Sequence, residues 1–367
     1  MNSSNMSSQN ETRLMGPLPG ATLGQVVLLL AFILGVPGNA FVVWSAGCLV
    51  RKRTVTCLLI LHLAIADLVV LLLAPIFLRF LSAGKWELGE GICQACYYIC
   101  GVCMYASVFL IALMSLDRCL AISWPFVSHK IRTRSTIRLL VSTIWVIGAF
   151  LAVPVIIYRK EVSKYGRLFC VLYYPQPISK HLVFHNLFET ITGFVLPFIA
   201  ILYSYGTISQ KLKETRFRRK RRTSRLISLI VVAFALFWFP YHVVNLLDVA
   251  AVWSGSEKVK KAGMMARPTL IAFAFFSSSV NPILYAFSGG SFIRSAGLGF
   301  MAKLFEGTAS EMSSVKHGTI QDNQHHGNSK TKPLKQESPE FLTMSTNPTS
   351  GGSSQEGGDT SKPLKSP

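Results

Sequence analysis

Asp117 and Arg118 stand side by side at the end of a long apolar run that begins at Cys93, an arrangement that suits a switch better than a catalytic centre. As one helix, the 25 steps from Cys93 to Arg118 would cover roughly 37 Å, more than the ~30 Å hydrocarbon core of a bilayer. The run carries no other formal charge, so the pair falls at a membrane face. There it either marks a functional site or is simply two charges reaching water. A second carboxylate, Asp67, lies near mid-run in another apolar block. Ser107, Ser277, Ser278 and Asn281 lie on blocks that could bring them to it. Carboxylate and hydroxyl oxygens suit a hard cation such as sodium, and a protonated Asp67 bonded to its neighbours is the alternative. A third set has anion-binding chemistry: Arg159, Lys160, Lys164, Arg167 and Lys180 against Glu161, then Lys258, Lys260, Lys261 and Arg267 against Glu257. Cys93, Cys96, Cys100 and Cys103 recur at helical spacing, but one helix face does not enclose a tetrahedral ion. No nucleophile–base pair or ligand set of an enzyme is apparent.

The elements that must position these groups are membrane helices. The 367 residues are 50% hydrophobic and only 15% charged, which argues for a membrane protein over soluble domains. Apolar blocks of spanning length occur at roughly 23–47, 55–80, 92–124, 137–158, 183–209, 224–252 and 266–288. Pro37, Pro75, Pro154, Pro197, Pro240 and Pro282 lie inside them, which membrane helices tolerate as kinks. The net charge of +20 is concentrated at 48–54, 125–138 and 210–225, on alternate connections. The positive-inside rule makes that face cytoplasmic and puts the amino terminus outside. The basic clusters are expected to meet anionic lipid or a cytoplasmic partner, not nucleic acid. Asn2, Asn5 and Asn10 head three N-glycosylation triplets, in agreement with an outside tail. No signal peptide is read before them, so the first block is expected to act as the insertion signal. Of the eight cysteines, Cys93 and Cys170 fall at extracellular ends, where a disulfide between them would pin the loop 159–182 over the bundle. The expected fold is all-α: a tail 1–20, a seven-helix domain 21–290, an amphipathic surface helix 291–306 and a cytoplasmic tail 307–367 of disordered composition.

Asn39, LAIAD in the second block, Asp117-Arg118-Cys119, Trp145, Phe237-Trp238-Phe239-Pro240 and Asn281-Pro282-Ile283-Leu284-Tyr285 occur in order on the seven blocks. Together they resemble the rhodopsin-like (class A) G-protein-coupled receptors over about residues 20–300. The resemblance implies that Arg118 engages a heterotrimeric G protein when the cytoplasmic side opens. It also implies that Tyr205, Phe234, Trp238 and Tyr285 rearrange then, with Pro240 and Pro282 as pivots. Cys119 stands where the commoner motif has tyrosine, and Lys220 where many relatives carry an acid that pairs with the arginine. Without that acid, basal signalling is expected; a strictly ligand-dependent response at high expression would count against it.

Cys100 occupies the place where amine receptors carry their aspartate, and Ala274 the place of the opsin lysine, so neither a cationic amine nor a retinal Schiff base is expected. A basic rim over an apolar bundle attracts anions. Below it Tyr97, Gly101, Met104 and Tyr105 could share the inward face of the third helix, with His185 and Glu189 on the fifth and His242 and Asn245 on the sixth. Such a cavity suits an amphipathic anion, for example a hydroxylated fatty acid. PGNAFVVWS, VCMYASV, FETITGFVLPF, FRRKRRTSRL, FPYHVVNLL, FFSSSVNPILYAF and RSAGLGFMAKLFEGT sharpen the resemblance to the leukotriene B4 receptors, nearer the high-affinity subtype. It implies leukotriene B4 or a related hydroxy-fatty acid as ligand, the inhibitory class of G protein as main partner, and leukocyte chemotaxis. It carries ligand roles onto Tyr105, Arg159, Glu189 and Arg267. Leu182 stands where the family has a further basic residue. Receptor kinases and arrestin are expected at the tail, with Ser310, Ser313 and Ser314 as phosphorylation sites. A chemoattractant-peptide receptor is the alternative within the fold; a transporter or channel would need more than Asp67 as a charged pathway.

Overall fold

A computed structural model of the chain describes residues 21–50, 54–164, 166–214 and 221–288. The sequons at Asn2, Asn5 and Asn10, Lys220, the amphipathic segment 291–306 and the tail serines lie outside the described residues. Six helical spans are long and apolar enough to cross a membrane: Ala21–Leu49, Val55–Ala83, Gly89–Ser123, Arg134–Tyr158, Ile178–Lys211 and Ser228–Ser254. A seventh helix, Glu257–Ser288, follows. It is less apolar because its first turns carry Glu257, Lys258, Lys260 and Lys261 and its middle carries Ser277, Ser278, Ser279 and Asn281.

The prolines act in three ways. Pro37, Pro240 and Pro282 lie within continuous helices. Pro75 and Pro154 restart the second and fourth spans at Ala74 and Val153, in the first turn where a missing N–H costs nothing. Pro197 follows a π-turn at Ile191–Val195 in the fifth span. The first span packs tightly on the second and seventh. A Cβ on Gly35 would come within 2.5 Å of Leu71 Cδ1 and 2.8 Å of Ser279 Cβ, so only glycine allows that approach. Asn39 fastens the same contact, donating from Nδ2 to the carbonyls of Gly35 and Ser278, each at 3.0 Å. Leu59, Leu63, Leu110, Ile111 and Met114 centre the apolar core between the second and third spans.

Two connections differ from the sequence expectation. The region 159–182 is not an irregular loop. Strands β1 (Arg159–Lys164) and β2 (Arg167–Leu172) pair antiparallel, Arg159 opposite Leu172 and Glu161 opposite Cys170, and the turn uses Gly166 at φ 68°. The fifth helix then begins at Ile178, so Lys180 lies on its first turn and not in a loop. Likewise Lys258, Lys260 and Lys261 were expected on a connection but lie on the opening turns of the seventh helix, which leaves only Gly255 and Ser256 between helices. Lys260 pairs there with Glu257 at 3.1 Å, one turn back.

Candidate functional site

The hairpin is held over one end of the bundle by three devices. Cys93 and Cys170 form a disulfide. Trp86 and Phe80 pack beside that bond. Glu90, in the first turn of the third span, accepts from Lys160 Nζ at 2.9 Å and from the Glu161 N–H at 3.3 Å. The disulfide and the hairpin that it pins form the lip of a cavity of about 1250 Å³.

The cavity wall holds Tyr97, Gly101 and Met104 from the third span, as the helical spacing predicts. Arg159, His185, Glu189 and Arg267 also line it, with Trp238 and Phe234 deeper. Tyr105 and Asn245 do not. Tyr105 is buried behind the wall with its hydroxyl 2.9 Å from Thr192 Oγ1. Asn245 is a connector: its Nδ2 donates to Glu189 Oε2 at 3.0 Å and its Oδ1 accepts from Arg267 Nη1 at 3.0 Å. Glu189 also accepts from the Tyr241 hydroxyl at 3.1 Å, and Arg267 Nη2 reaches the Asp248 carboxylate. One polar chain therefore joins the fifth, sixth and seventh helices.

Tyr241 and Asp248 were not singled out in the sequence, although Tyr241, Asn245 and Asp248 stand at i, i+4 and i+7 on one helical face. Tyr174 was missed as well. Its hydroxyl lies 3.0 Å from His185 Nδ1, and burial pushes the phenol above its usual range, which keeps it protonated.

The two arginines differ in surroundings. Arg267 is engaged by Asp248 and Asn245. Arg159 has no ion-pair partner among the described residues, and its guanidinium carbon lies 3.6 Å from the centroid of the Tyr97 ring. Stacked on an aromatic face, it keeps its in-plane N–H donors for an incoming acceptor.

The floor of the cavity continues to Asp67, Ser107, Ser278 and Asn281. Asp67 is 1% exposed and accepts from Asn281 Nδ2 at 2.7 Å. A buried carboxylate with two serine hydroxyls on the same wall is a donor set that fits a monovalent hard cation. Above it, Trp238 Nε1 donates to Ser277 Oγ at 3.1 Å and its ring stacks on Phe234 with centroids 5.5 Å apart. The Asp67 cluster and the ligand-sized chamber are thus one continuous space.

At the opposite end, Arg118 donates to Asp117 at 3.1 Å and to Thr56 of the second span. Asp117 also pairs with Arg132, whose Nε lies 2.7 Å from Oδ1. Tyr205 packs against the core near this end, and Tyr285 lies in the seventh helix beyond the residues whose side chains are described.

Seven helices, a disulfide-pinned hairpin over a deep chamber and an Asp-Arg pair at the far end define a heptahelical membrane receptor. Residues 38–285 match the family of seven-transmembrane receptors of the rhodopsin family, and the chain belongs to that family. Among its relatives, the human leukotriene B4 receptor 1 is 51% identical over 81% of this chain and 85% of the relative. The rat receptor 1 is 49% identical over 86% and 90%. The mouse leukotriene B4 receptor 2 is 45% identical over 82% and 84%, so the chain stands nearer the first subtype than the second. The family is one of receptors and not an enzyme class.

Proposed function

We propose that this chain is a plasma-membrane receptor for leukotriene B4 or a close hydroxy-fatty acid, signalling through heterotrimeric G proteins, mainly of the inhibitory class, in leukocyte chemotaxis. The observation that carries the ligand class is Arg159, without an ion-pair partner among the described residues, at the mouth of a mostly apolar chamber. A ligand carboxylate reaches Arg159, hydroxyl groups donate to Glu189 or bond to Tyr241 and His185, and the hydrocarbon chain lies among Met104, Phe77 and Phe275. An acid as ligand anchor makes sense only for donors, so Glu189 reads hydroxyls and repels a second carboxylate. The cavity end is taken as extracellular and the Arg118 end as cytoplasmic, in keeping with the charge pattern of the connections. Receptor kinases and arrestin are read as partners of the tail.

The test is G-protein activation in transfected cells by leukotriene B4, its hydroxyl stereoisomers, other eicosanoid acids and chemoattractant peptides. Leukotriene B4 is expected to be the strongest agonist, with inverted hydroxyl centres weaker. A peptide response with silence to every lipid would sink the ligand reading.

The Asp67 cluster is read as a sodium site that favours the resting receptor. Sodium should lower agonist affinity in wild-type membranes, and Asp67→Asn should remove that sensitivity while antagonist binding persists. An undiminished sodium effect in Asp67→Asn would refute this reading.

A further inference from the structure

Beyond the anchor itself, the chamber is electrically divided. The wall formed by the third span and β1 presents Arg159 without a carboxylate partner among the described residues. The wall formed by the fifth, sixth and seventh helices presents Glu189, Asp248 and Glu257 against Arg267 and Lys260, three acids against two bases. A glycine leaves room for the Asp248 carboxylate: a Cβ on Gly263 would lie 2.6 Å from Asp248 Oδ1, so a side chain there would shift the carboxylate end. Asp248 and Arg267 are each about one-fifth exposed, so the pair faces the chamber and is only partly screened by water.

We propose that Asp248, seated against Gly263, is a specificity-determining residue that neutralises Arg267 and so restricts the receptor to ligands with a single anionic end. This deepens the proposed function and rests on it. Without Asp248, Arg267 would be a second anion anchor on the chamber wall, and a long-chain acid carrying a carboxylate at both ends could swing its far end from among Phe77 and Phe275 to that cation. With Asp248 in place, the far carboxylate of such a diacid meets a wall of net negative charge. The near carboxylate and the hydroxyls bind alike in both cases. Asp248 therefore acts by exclusion.

The experiment compares leukotriene B4 with its analogue oxidised to a carboxylate at the far chain end, by displacement binding and G-protein activation. The receptors are wild type, Asp248→Asn, Gly263→Ala and Asp248→Asn/Arg267→Gln, each with surface expression measured. Wild type should prefer the monoacid. Asp248→Asn should raise diacid affinity about tenfold or more while the monoacid changes less than about threefold, in line with removal of one like-charge contact. Gly263→Ala, which alters no charge, should move the ratio in the same direction, and it carries the test if Asp248→Asn does not reach the surface. The double variant should return the diacid-to-monoacid ratio to its wild-type value, with both acids weakened because Asn245 and Glu189 lose Arg267. An unchanged ratio in an Asp248→Asn receptor that responds to the monoacid, or a parallel loss for both acids in that single variant, would overturn the role of Asp248. A wild-type receptor at the surface but silent to both acids would overturn the function reading, and this inference with it.

Discussion

Arg159→Ala is expected to weaken leukotriene B4 binding roughly 30- to 150-fold, the equivalent of about 2–3 kcal/mol for losing one partner of a desolvated charge pair. The expectation follows from geometry. Arg159 lies on the Tyr97 ring at 3.6 Å, lines the chamber and has no carboxylate partner among the described residues. Its charge is therefore available to a ligand and is not already committed to the protein. Arg159→Lys should recover only part of the loss, because an ammonium neither stacks on Tyr97 as a plane nor offers two parallel donors. The methyl ester of the ligand separates charge from shape: the penalty for Arg159→Ala should shrink for the ester. Equal penalties for acid and ester in radioligand displacement would show that Arg159 acts through packing alone. Arg267→Ala should also weaken binding, but by releasing Asn245 and Glu189 from their places, and so should affect acid and ester alike.

Replacing both Cys93 and Cys170 by serine is expected to remove most receptor from the cell surface and to weaken binding at least about tenfold in what remains. The bond closes a segment with a sequence separation of 77, which in the chain-entropy picture restrains the unfolded loop by about 4.5 kcal/mol. Its local effect matters more for the ligand. Arg159 opens β1, and the hairpin that carries it is fixed to the third span by that bond together with Glu90. Once the bond is gone, hydrogen bonds must hold the anchor: those to Glu90, that from Gln94 Nε2 to the Arg159 carbonyl and that from the Trp86 N–H to the Leu168 carbonyl. Treating intact membranes with a reductant should reproduce the loss in wild type and leave the serine variant unaffected. Undiminished binding in the serine variant would mean that packing of Trp86 and Phe80 positions the hairpin without the disulfide.

Hydropathy and local motif decided much of this molecule before any tertiary contact. Stretches of apolar residue long enough to span a bilayer have few alternatives to a helix, because unpaired backbone groups are too costly in hydrocarbon. That constraint is local, and it accounts for the seven helices and for their prolines. The disulfide was legible because only Cys93 and Cys170 fall at the ends expected to face an oxidising compartment. Polar residues in apolar runs were legible for the same reason: Asp67 and Asn281, expected to be partners, lie 2.7 Å apart.

What the sequence left open were relations across helices. Whether Tyr105 or Tyr241 faces the chamber depends on a rotation of less than a third of a turn, set by packing against neighbouring helices and invisible in a repeat of three to four residues. The chain's surplus of basic residues suggested a rim of free positive charge, yet Lys160, Lys260 and Arg267 each have a carboxylate partner. Only tertiary structure could separate Arg159 from Arg267, since the pairing of Arg267 with Asp248 spans two helices, with Gly263 beside the carboxylate. Composition fixes how many charges a receptor carries; folding decides which of them remain to meet a ligand.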